Sequence, residues 1–394
     1  MTGGPRVVVV GSGLAGPCLA HGLRGAGIEV AVYERDAGIA SRGQGYRIHI
    51  APEGSRALRR SLPDELFRLA RATAGKPGSG VTVYDPRLSV LNRVTDFGDA
   101  DPDDEHLSVD RLVLREVMMH GLGDVVHYGK AFTRYEQLPG GRVRAHFDDG
   151  DSADADLLVA ADGSGSLVRQ QFLPHAMVVD TGIAVVFGKA PLTDEVRAMV
   201  PEYALDGFST VVGDDGRFLP LAGMEFRTDP AEAAAELAPG LRFRDTRDYV
   251  MWVLGVAVDR VGVPASRLYA MDGRMLTDTV CGVIADWHPT LGRIVERSDP
   301  GTVKASSMRT SVPVPAWESG PVTLVGDAIH CMVPAGIGAA VALRDAAELA
   351  DRVVAAARGG IPLVAAVHDY EAAMLRYGFA AVAASQQVGR QFTQ

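Results

Sequence analysis

The sequence predicts an α/β fold of Rossmann type, in which a nucleotide-binding domain is interrupted by a β-rich insertion and followed by a C-terminal helical segment. Three observations carry this. Short Val/Leu runs without polar alternation, at residues 7–10, 157–160 and 322–325, each lead into a glycine-bearing turn, as expected of parallel strands buried on both faces. Between the second and third runs, alternation takes over at 183–188, 218–226 and 249–258, the pattern of an antiparallel sheet with one covered face. From about residue 340 the chain becomes alanine-rich, and Leu343, Ala347, Ala350 and Val354 recur at helical spacing.

Composition narrows the function. The 394 residues leave room for two or three domains at roughly one per ~150 residues. Lys and Arg number 39 against 49 Asp and Glu, and the net −10 argues against a nucleic acid or an anionic membrane as partner and for a small molecule. Glycine makes up 45 of the 394 residues, about 11% against the usual ~7%, so turns where the backbone approaches something closely are expected. Three scattered cysteines, Cys18, Cys281 and Cys331, form neither a disulfide framework nor a metal site, which fits a reducing, cytoplasmic setting. No apolar run of ~18 residues predicts a transmembrane helix. Residues 7–20 have the apolar look of a secretory signal, but three glycines and a proline interrupt them.

The first element is therefore strand, turn and helix. Gly11-Ser-Gly13-Leu14-Ala15-Gly16 follows the first strand and opens a helical pattern through Leu19 and Leu23; a second strand at 29–33 then ends at Glu34, 18 residues after Gly16. In such a unit the first glycine permits the tight turn and the second lets a pyrophosphate approach the backbone. The third lets helix and strand pack closely, and the helix N-terminus presents free N–H groups to the phosphates. Glu34 is placed to accept hydrogen bonds from ribose hydroxyls. Arg35 suits either adenine stacking or solvent, and Cys18 reads as a small packing residue. The acidic stretch 96–105 (DFGDADPDDE) reads as a solvated loop, or as a repulsive gate against anionic substrates.

The second turn, Asp162-Gly163-Ser164-Gly165-Ser166-Leu167-Val168-Arg169, could form another polar rim around a cofactor or simply a capped helix start. The third, Gly326-Asp327-Ala328-Ile329-His330, leads through Pro334-Ala-Gly336-Ile-Gly338 into the last helical pattern. It again frees backbone N–H groups near a carboxylate that suits polyol hydroxyls. His330 reads as a structural histidine, since no matched acid or nucleophile accompanies it in sequence.

In this order the three motifs, with Arg111 in the segment DRLVLREVM, resemble the single-component FAD-dependent monooxygenases of the para-hydroxybenzoate hydroxylase type, from about Val7 to Ala350. The resemblance implies that GSGLAG and Glu34 hold ADP, that Arg111 reaches the FAD, and that Asp327 binds its ribityl and pyrophosphate region. It further implies that the turn of Pro334, Gly336, Gly338 and Ala339 lies beside the isoalloxazine ring, with the segment 42–47 (RGQGYR) running along the flavin and Arg47 near the ring. Ala340 departs from the pattern, because the family usually has asparagine there. The FAD-binding domain would comprise residues 1–75, 106–180 and 272–355, the β-rich substrate domain 76–105 and 181–271, and the C-terminal helices 356–394.

The resemblance also implies the chemistry. FAD is reduced by NADH or NADPH and reacts with O2 to a flavin C4a-hydroperoxide, and one oxygen passes to an aromatic or polyketide-like small molecule by hydroxylation. Epoxidation, Baeyer–Villiger oxidation or oxidase-type dehydrogenation on the same scaffold is the alternative, and a non-catalytic flavin-binding protein is a third. Such chemistry needs a dry pocket. Phe208, Met224, Phe226 and Trp252 of the insertion, with Pro334, are candidates to line it, though each apolar residue on an alternating strand is also a core candidate. For a phenolic substrate, His49 or Arg47 could assist its deprotonation. The absence of a second GxGxxG argues against a separate pyridine-nucleotide domain. The Ala-, Gly- and Arg-rich composition fits a GC-rich bacterial genome and secondary metabolism.

Overall fold

The computed structural model describes residues 4–39, 41, 45–95 and 105–393, with side chains to residue 389. The three apolar runs become the centre of a five-stranded parallel sheet. Its order is Val322–Leu324, Leu157–Ala160, Arg6–Val10, Glu29–Glu34 and Val126–Tyr128. Val7, Val8 and Val9 are fully buried because both faces of the sheet are covered, by helices such as Ala15–Gly25 and by the meander strands at 132–155, whose Phe147 stacks on Tyr33, and this explains why those runs lack polar alternation. An antiparallel meander, Phe132–Leu138, Arg142–Phe147 and Ser152–Ala155, precedes the Leu157–Ala160 strand.

The insertion forms a seven-stranded sheet. Its order is Lys304–Ser311, Val178–Pro191, Tyr249–Ala257, Phe218–Met224, Gly207–Val212, Gly80–Tyr84 and Val90–Val94, antiparallel except where Gly207–Val212 runs parallel to Gly80–Tyr84. A short ribbon of Arg47–Ile50 and Leu107–Asp110 lies between the two sheets' territories.

The expected return to the nucleotide-binding domain at residue 272 comes too early. Helices Gly273–Val283 and Pro289–Glu296 pack in the core of the large sheet, where Leu276, Val280, Leu291 and Ile294 cluster with Trp252 and Leu254. The strand Lys304–Ser311 is itself an edge of that sheet. Only from Val322 does the chain re-enter the parallel sheet. The boundary expected after residue 180 falls inside the strand Val178–Pro191.

The alanine-rich pattern becomes the helix Gly338–Ala357, ended by Arg358 and by Gly359 at φ +80°, a left-handed stop that suits glycine. A 31-residue helix, Leu363–Thr393, follows. Small residues let the Gly338–Ala357 helix press on its neighbours. A Cβ on Gly22 would lie 2.9 Å from that of Ala350, and one on Gly54 would lie 2.7 Å from Ala340 Cα. Ala340 is fully buried at this crossing, so an asparagine side chain has no room there without moving the helix Pro52–Ser61. None of the described helices is long and apolar enough to cross a membrane.

Candidate cofactor and substrate site

A cavity of about 2200 Å³ lies between the parallel sheet and the large sheet. A site for one drug-sized ligand occupies ~300–1,000 Å³, so this space suits a dinucleotide together with a second molecule. All three turns reach it, through Gly13 to Ala15, through Gly163 and Ser164, and through Gly326 and Asp327.

The first turn is built around close backbone contacts. Gly11 has φ +103°, and a Cβ there would lie 2.4 Å from the carbonyl oxygen of Ala161; one on Gly16 would lie 2.1 Å from the carbonyl oxygen of Gly11. A Cβ on Gly13 would meet nothing within 4 Å, so packing does not require glycine there. The helix Ala15–Gly25 starts at Leu14 without a side-chain cap, leaving its first N–H groups for an anion in the cavity. The helix Gly338–Ala357 also starts uncapped, at Ile337, and Gly338 and Ala339 line the same cavity.

Glu34 lies beneath the turn, 5% exposed and not on the cavity wall. Oε2 accepts from the Ser12 amide (2.9 Å) and hydroxyl (2.8 Å), and Oε1 accepts from the Asp36 amide at 3.0 Å. Burial would raise this carboxyl, but these hydrogen bonds and the charge of Arg115 hold it below the usual carboxylate range. Arg115 is the residue that reading the sequence missed. Its guanidinium donates to the Ser12 carbonyl (2.7 Å), the Ser12 hydroxyl (2.8 Å) and the Ile39 carbonyl (2.9 Å), and it sits 3.6 Å from Glu34. The available signal was its place four residues after Arg111, on the same helix face. Arg111 itself lines the cavity. Arg35 is exposed and off the wall.

The next residue on that helix makes a pH-dependent contribution. Glu116 is buried, with Oε2 unpartnered and Oε1 3.6 Å from the exposed Arg244. Burial pushes its carboxyl up to about 7. The folded chain therefore keeps a proton that the unfolded chain releases, and stability present at acid pH is lost as pH rises from the ordinary glutamate range through about 7. Glu116→Gln should raise Tm at pH 8 by ~2–4 °C and flatten its dependence between pH 5 and 8. A differential scan showing an unchanged or lower Tm at pH 8 would contradict this.

In the second turn the capped-helix reading describes what is seen. Asp162 Oδ2 accepts from the Leu167 amide (3.0 Å), and the Ser166 hydroxyl accepts from the Arg169 amide (2.9 Å). Asp162 is not on the cavity wall, and its Oδ1 is buried without a partner. Arg169 ties this turn to the third, donating to the carbonyls of Ala328 (2.8 Å) and Ser164 (3.0 Å).

In the third turn the Asp327 carboxylate opens into the cavity and accepts no hydrogen bond from the other described residues. Enclosure by protein pushes its carboxyl up, partly offset by His330 and Arg111. His330 is fully buried and donates from Nε2 to Asp345 Oδ2 at 2.6 Å. The same oxygen accepts the Gly326 amide at 2.6 Å, and Tyr377 donates to Oδ1 at 2.7 Å. His330 thus fastens the turn, and its acid partner comes from the following helix. Pro334, Gly336, Gly338 and Ala339 all line the cavity.

Arg47 and His49 share one face of the strand Arg47–Ile50 and both reach the cavity. Arg47 donates to the Ser108 hydroxyl at 2.7 Å, while its Nε is buried without a partner. His49 packs beside Gly336, whose Cβ would lie 3.8 Å from that of His49. His49 Nε2 lies 3.0 Å from His106 Nδ1, one nitrogen donating and the other accepting, and the rings stack with centroids 5.1 Å apart. Burial, His106 and Arg47 lower the His49 imidazole to about 4, so it is neutral at pH 7. Arg42, Gly43 and Gln44 of the expected flavin-side segment, and residues 96–104 of the acidic stretch, lie outside the described residues.

Of the four insertion residues expected to form the substrate wall, Phe208 lines the cavity and the other three do not. Trp252 is fully buried on the far face of the sheet, donating from Nε1 to Ser298 at 2.7 Å under the helices Gly273–Val283 and Pro289–Glu296. Its neighbours Met251 and Val253, pointing the other way, line the cavity. Met224 and Phe226 are buried in a cluster with Val113, Tyr249 and Met251 and do not line the cavity. The apolar wall also includes Phe187, Phe218 and Pro220.

These features fit FAD. Two uncapped helix starts and a cleared glycine turn offer N–H groups to a diphosphate, and an unpartnered carboxylate faces the cavity where a polyol could lie.

Comparison with known proteins agrees. A family model described as an FAD binding domain matches residues 283–376. The chain is 33% identical over 378 residues to the dual O-methyltransferase/FAD-dependent monooxygenase elcB of Phaeosphaeria nodorum, covering 87% of this chain but 39% of elcB, so it spans about two fifths of that protein's length. It is 28% identical to the 6-hydroxynicotinate 3-monooxygenase of Pseudomonas fluorescens, covering 89% of this chain and 83% of the relative. A crystal structure from Photorhabdus luminescens, provisionally described as an FAD-containing monooxygenase, superposes with a TM-score of 0.84 at 30% identity, covering 99% of this chain and 98% of that one. A likeness running the full length of both chains at this identity makes the chain a member of the FAD-dependent monooxygenase family, with FAD as its cofactor.

Proposed function

We propose that this chain uses NADH or NADPH and O2 to insert one oxygen atom into an aromatic or polyketide-like small molecule, by hydroxylation. The observation that carries the proposal is the single cavity in which the apolar wall of the large sheet faces His49, Arg47 and the turn at Gly336. Bound FAD would supply the redox and oxygen-activating chemistry. The protein supplies binding, orientation and dryness.

The uncapped start of the helix Ala15–Gly25, with Gly11, Gly13 and Gly16, takes the diphosphate. Glu34, buried behind the turn, fixes Ser12 at its ribose end rather than lining the cavity, and Asp162 caps the turn after Ser164 by accepting from the Leu167 amide. Arg111 and Asp327 contact the middle of the dinucleotide, and Pro334, Gly336, Gly338 and Ala339 border the ring. Phe187, Phe208, Phe218 and Met251 exclude water on the opposite side. His49, neutral and hydrogen-bonded to the exposed His106, is placed to accept a substrate proton and pass it outward. Three free cysteines fit a cytoplasmic location.

The test is a purified protein offered NADH or NADPH and candidate phenols under labelled O2. The proposal expects a yellow protein whose NAD(P)H oxidation is stimulated by substrate, and a product carrying one labelled oxygen. A protein unable to bind FAD, or a product oxidised without added oxygen, would refute it. Asp327→Ala should weaken FAD binding about tenfold, the scale of one charge-assisted contact, without lowering Tm of the FAD-free protein, because that carboxylate accepts no hydrogen bond from the described protein and its enclosure disfavours its charge. Unaltered affinity in a fluorescence titration would remove Asp327 from the site.

A further inference from the structure

Asp110 stands where the two domains meet. It closes the strand Leu107–Asp110 opposite Arg47 and opens the helix Arg111–Met119. Oδ1 caps that helix, accepting from the amides of Leu112 (2.8 Å) and Val113 (3.1 Å). Oδ2 accepts from Lys189 Nζ (2.7 Å) and from the Tyr249 hydroxyl (2.8 Å). The Lys189 ammonium also lies 4.2 Å from the centroid of the Tyr249 ring. Asp110, Lys189 and Tyr249 are all buried.

Core packing does not call for this arrangement. Taking a lysine and an aspartate out of water costs several kcal/mol per ion, and well-packed apolar residues are often at least as stable. The buried pair fixes a geometry, and that geometry has two ends. At one end, the capped helix carries Arg111 to the cavity and Arg115 to Ser12 and Glu34. The Arg111 amide donates to the Tyr46 carbonyl at 3.0 Å, and a Cβ on Gly45 would lie 3.3 Å from both Asp110 Oδ1 and Lys189 Nζ. At the other end, two residues along the same strands and on the same face, Phe187 precedes Lys189 and Met251 follows Tyr249. Both line the cavity. The apolar wall and the arginine helix therefore meet at one carboxylate.

We infer that Lys189, Asp110 and Tyr249 form a positioning clasp that sets the arginine helix and the segment beginning at Gly45 relative to the substrate wall, and so determines how tightly FAD is held. These are positioning residues, since none of the three lines the cavity. The inference rests on the reading of the cavity as the FAD site.

Apoprotein titrated with FAD and followed by flavin fluorescence tests it, with Tm measured in parallel for the wild type, Lys189→Met, Lys189→Arg, Tyr249→Phe and Ser298→Ala. Lys189→Met should weaken FAD binding about tenfold and Tyr249→Phe about threefold, on the scale of one to two lost hydrogen bonds. Lys189→Arg should restore most of the affinity. Ser298→Ala removes the partner of Trp252 on the far face of the same sheet, so it should lower Tm without weakening FAD. If Lys189→Met does not fold, Tyr249→Phe, which deletes one hydroxyl, decides the matter. Wild-type affinity in Tyr249→Phe and Lys189→Met, or an equal loss in Ser298→Ala, would overturn the clasp. A wild-type protein without FAD affinity would overturn the reading of the site, and the clasp with it.

Discussion

Gly16→Val is expected to abolish FAD retention and to destabilise the protein by ~3 kcal/mol or more, the upper end of what overpacking costs where only side chains must shift. The reason is what stands in the way. A Cβ at position 16 would lie 2.1 Å from the Gly11 carbonyl oxygen, and that oxygen belongs to a turn pressed against Ala161, where no flexible side chain can yield. The helix Ala15–Gly25 would have to lift away from the strand Arg6–Val10, carrying its uncapped N–H groups out of register with a bound diphosphate. A loss of ~100-fold or more in FAD affinity follows from ~3 kcal/mol at the site. Gly13→Ala is the matched comparison, since the new Cβ meets nothing within 4 Å. Its Tm should stay within ~1 °C of wild type while FAD affinity falls, because only an incoming ligand competes for that space. Thermal scans and FAD titrations of both variants decide this; a Gly16→Val protein that binds FAD normally would mean that the turn is not the diphosphate site.

The parts of this molecule that were legible in the sequence are those where one chemical demand fixes residue type and spacing together. A glycine turn between a buried strand and a helix is such a case, and so is the alternation of the large sheet. Alternation assigns residues to two faces but does not say which face meets a cavity. Trp252 shows the consequence. As an apolar residue on an alternating strand it suited wall or core alike, and it lies under the helices Gly273–Val283 and Pro289–Glu296. Those helices were expected in the other domain, so the misplaced boundary and the misplaced tryptophan are one error. Once apolar helices cover the far face, Met251 and Val253 are left for the cavity. Ala340 was illegible for a related reason: what excludes a larger side chain is Gly54, which is 286 positions away in the chain.

Arg115→Met should cost ~3–5 kcal/mol, because it breaks a buried ion pair from one side. Arg115 is 6% exposed and Glu34 5%. The variant leaves the Glu34 carboxylate without its guanidinium, and it takes three donated hydrogen bonds from the Ser12 carbonyl, the Ser12 hydroxyl and the Ile39 carbonyl. At ~2 °C per kcal/mol for a chain of this size, Tm should fall by ~6–10 °C. The pH dependence separates this cause from a simple cavity. In the wild type the Glu34 carboxyl lies below its ordinary value, so its contribution is present above the unfolded value and lost as pH falls through the folded one. In Arg115→Met, burial acts on Glu34 without that cation, and protonation then relieves the variant. The Tm gap to wild type should therefore narrow between pH 7 and pH 5. Glu34→Gln in the same chain should recover part of the loss at pH 7, since a neutral amide needs no cation. If the double variant is as unstable as the sum of the single ones, and the gap does not change with pH, Arg115 acts through packing alone. The pairing of Arg115 with Glu34 would then have no part in holding the dinucleotide turn.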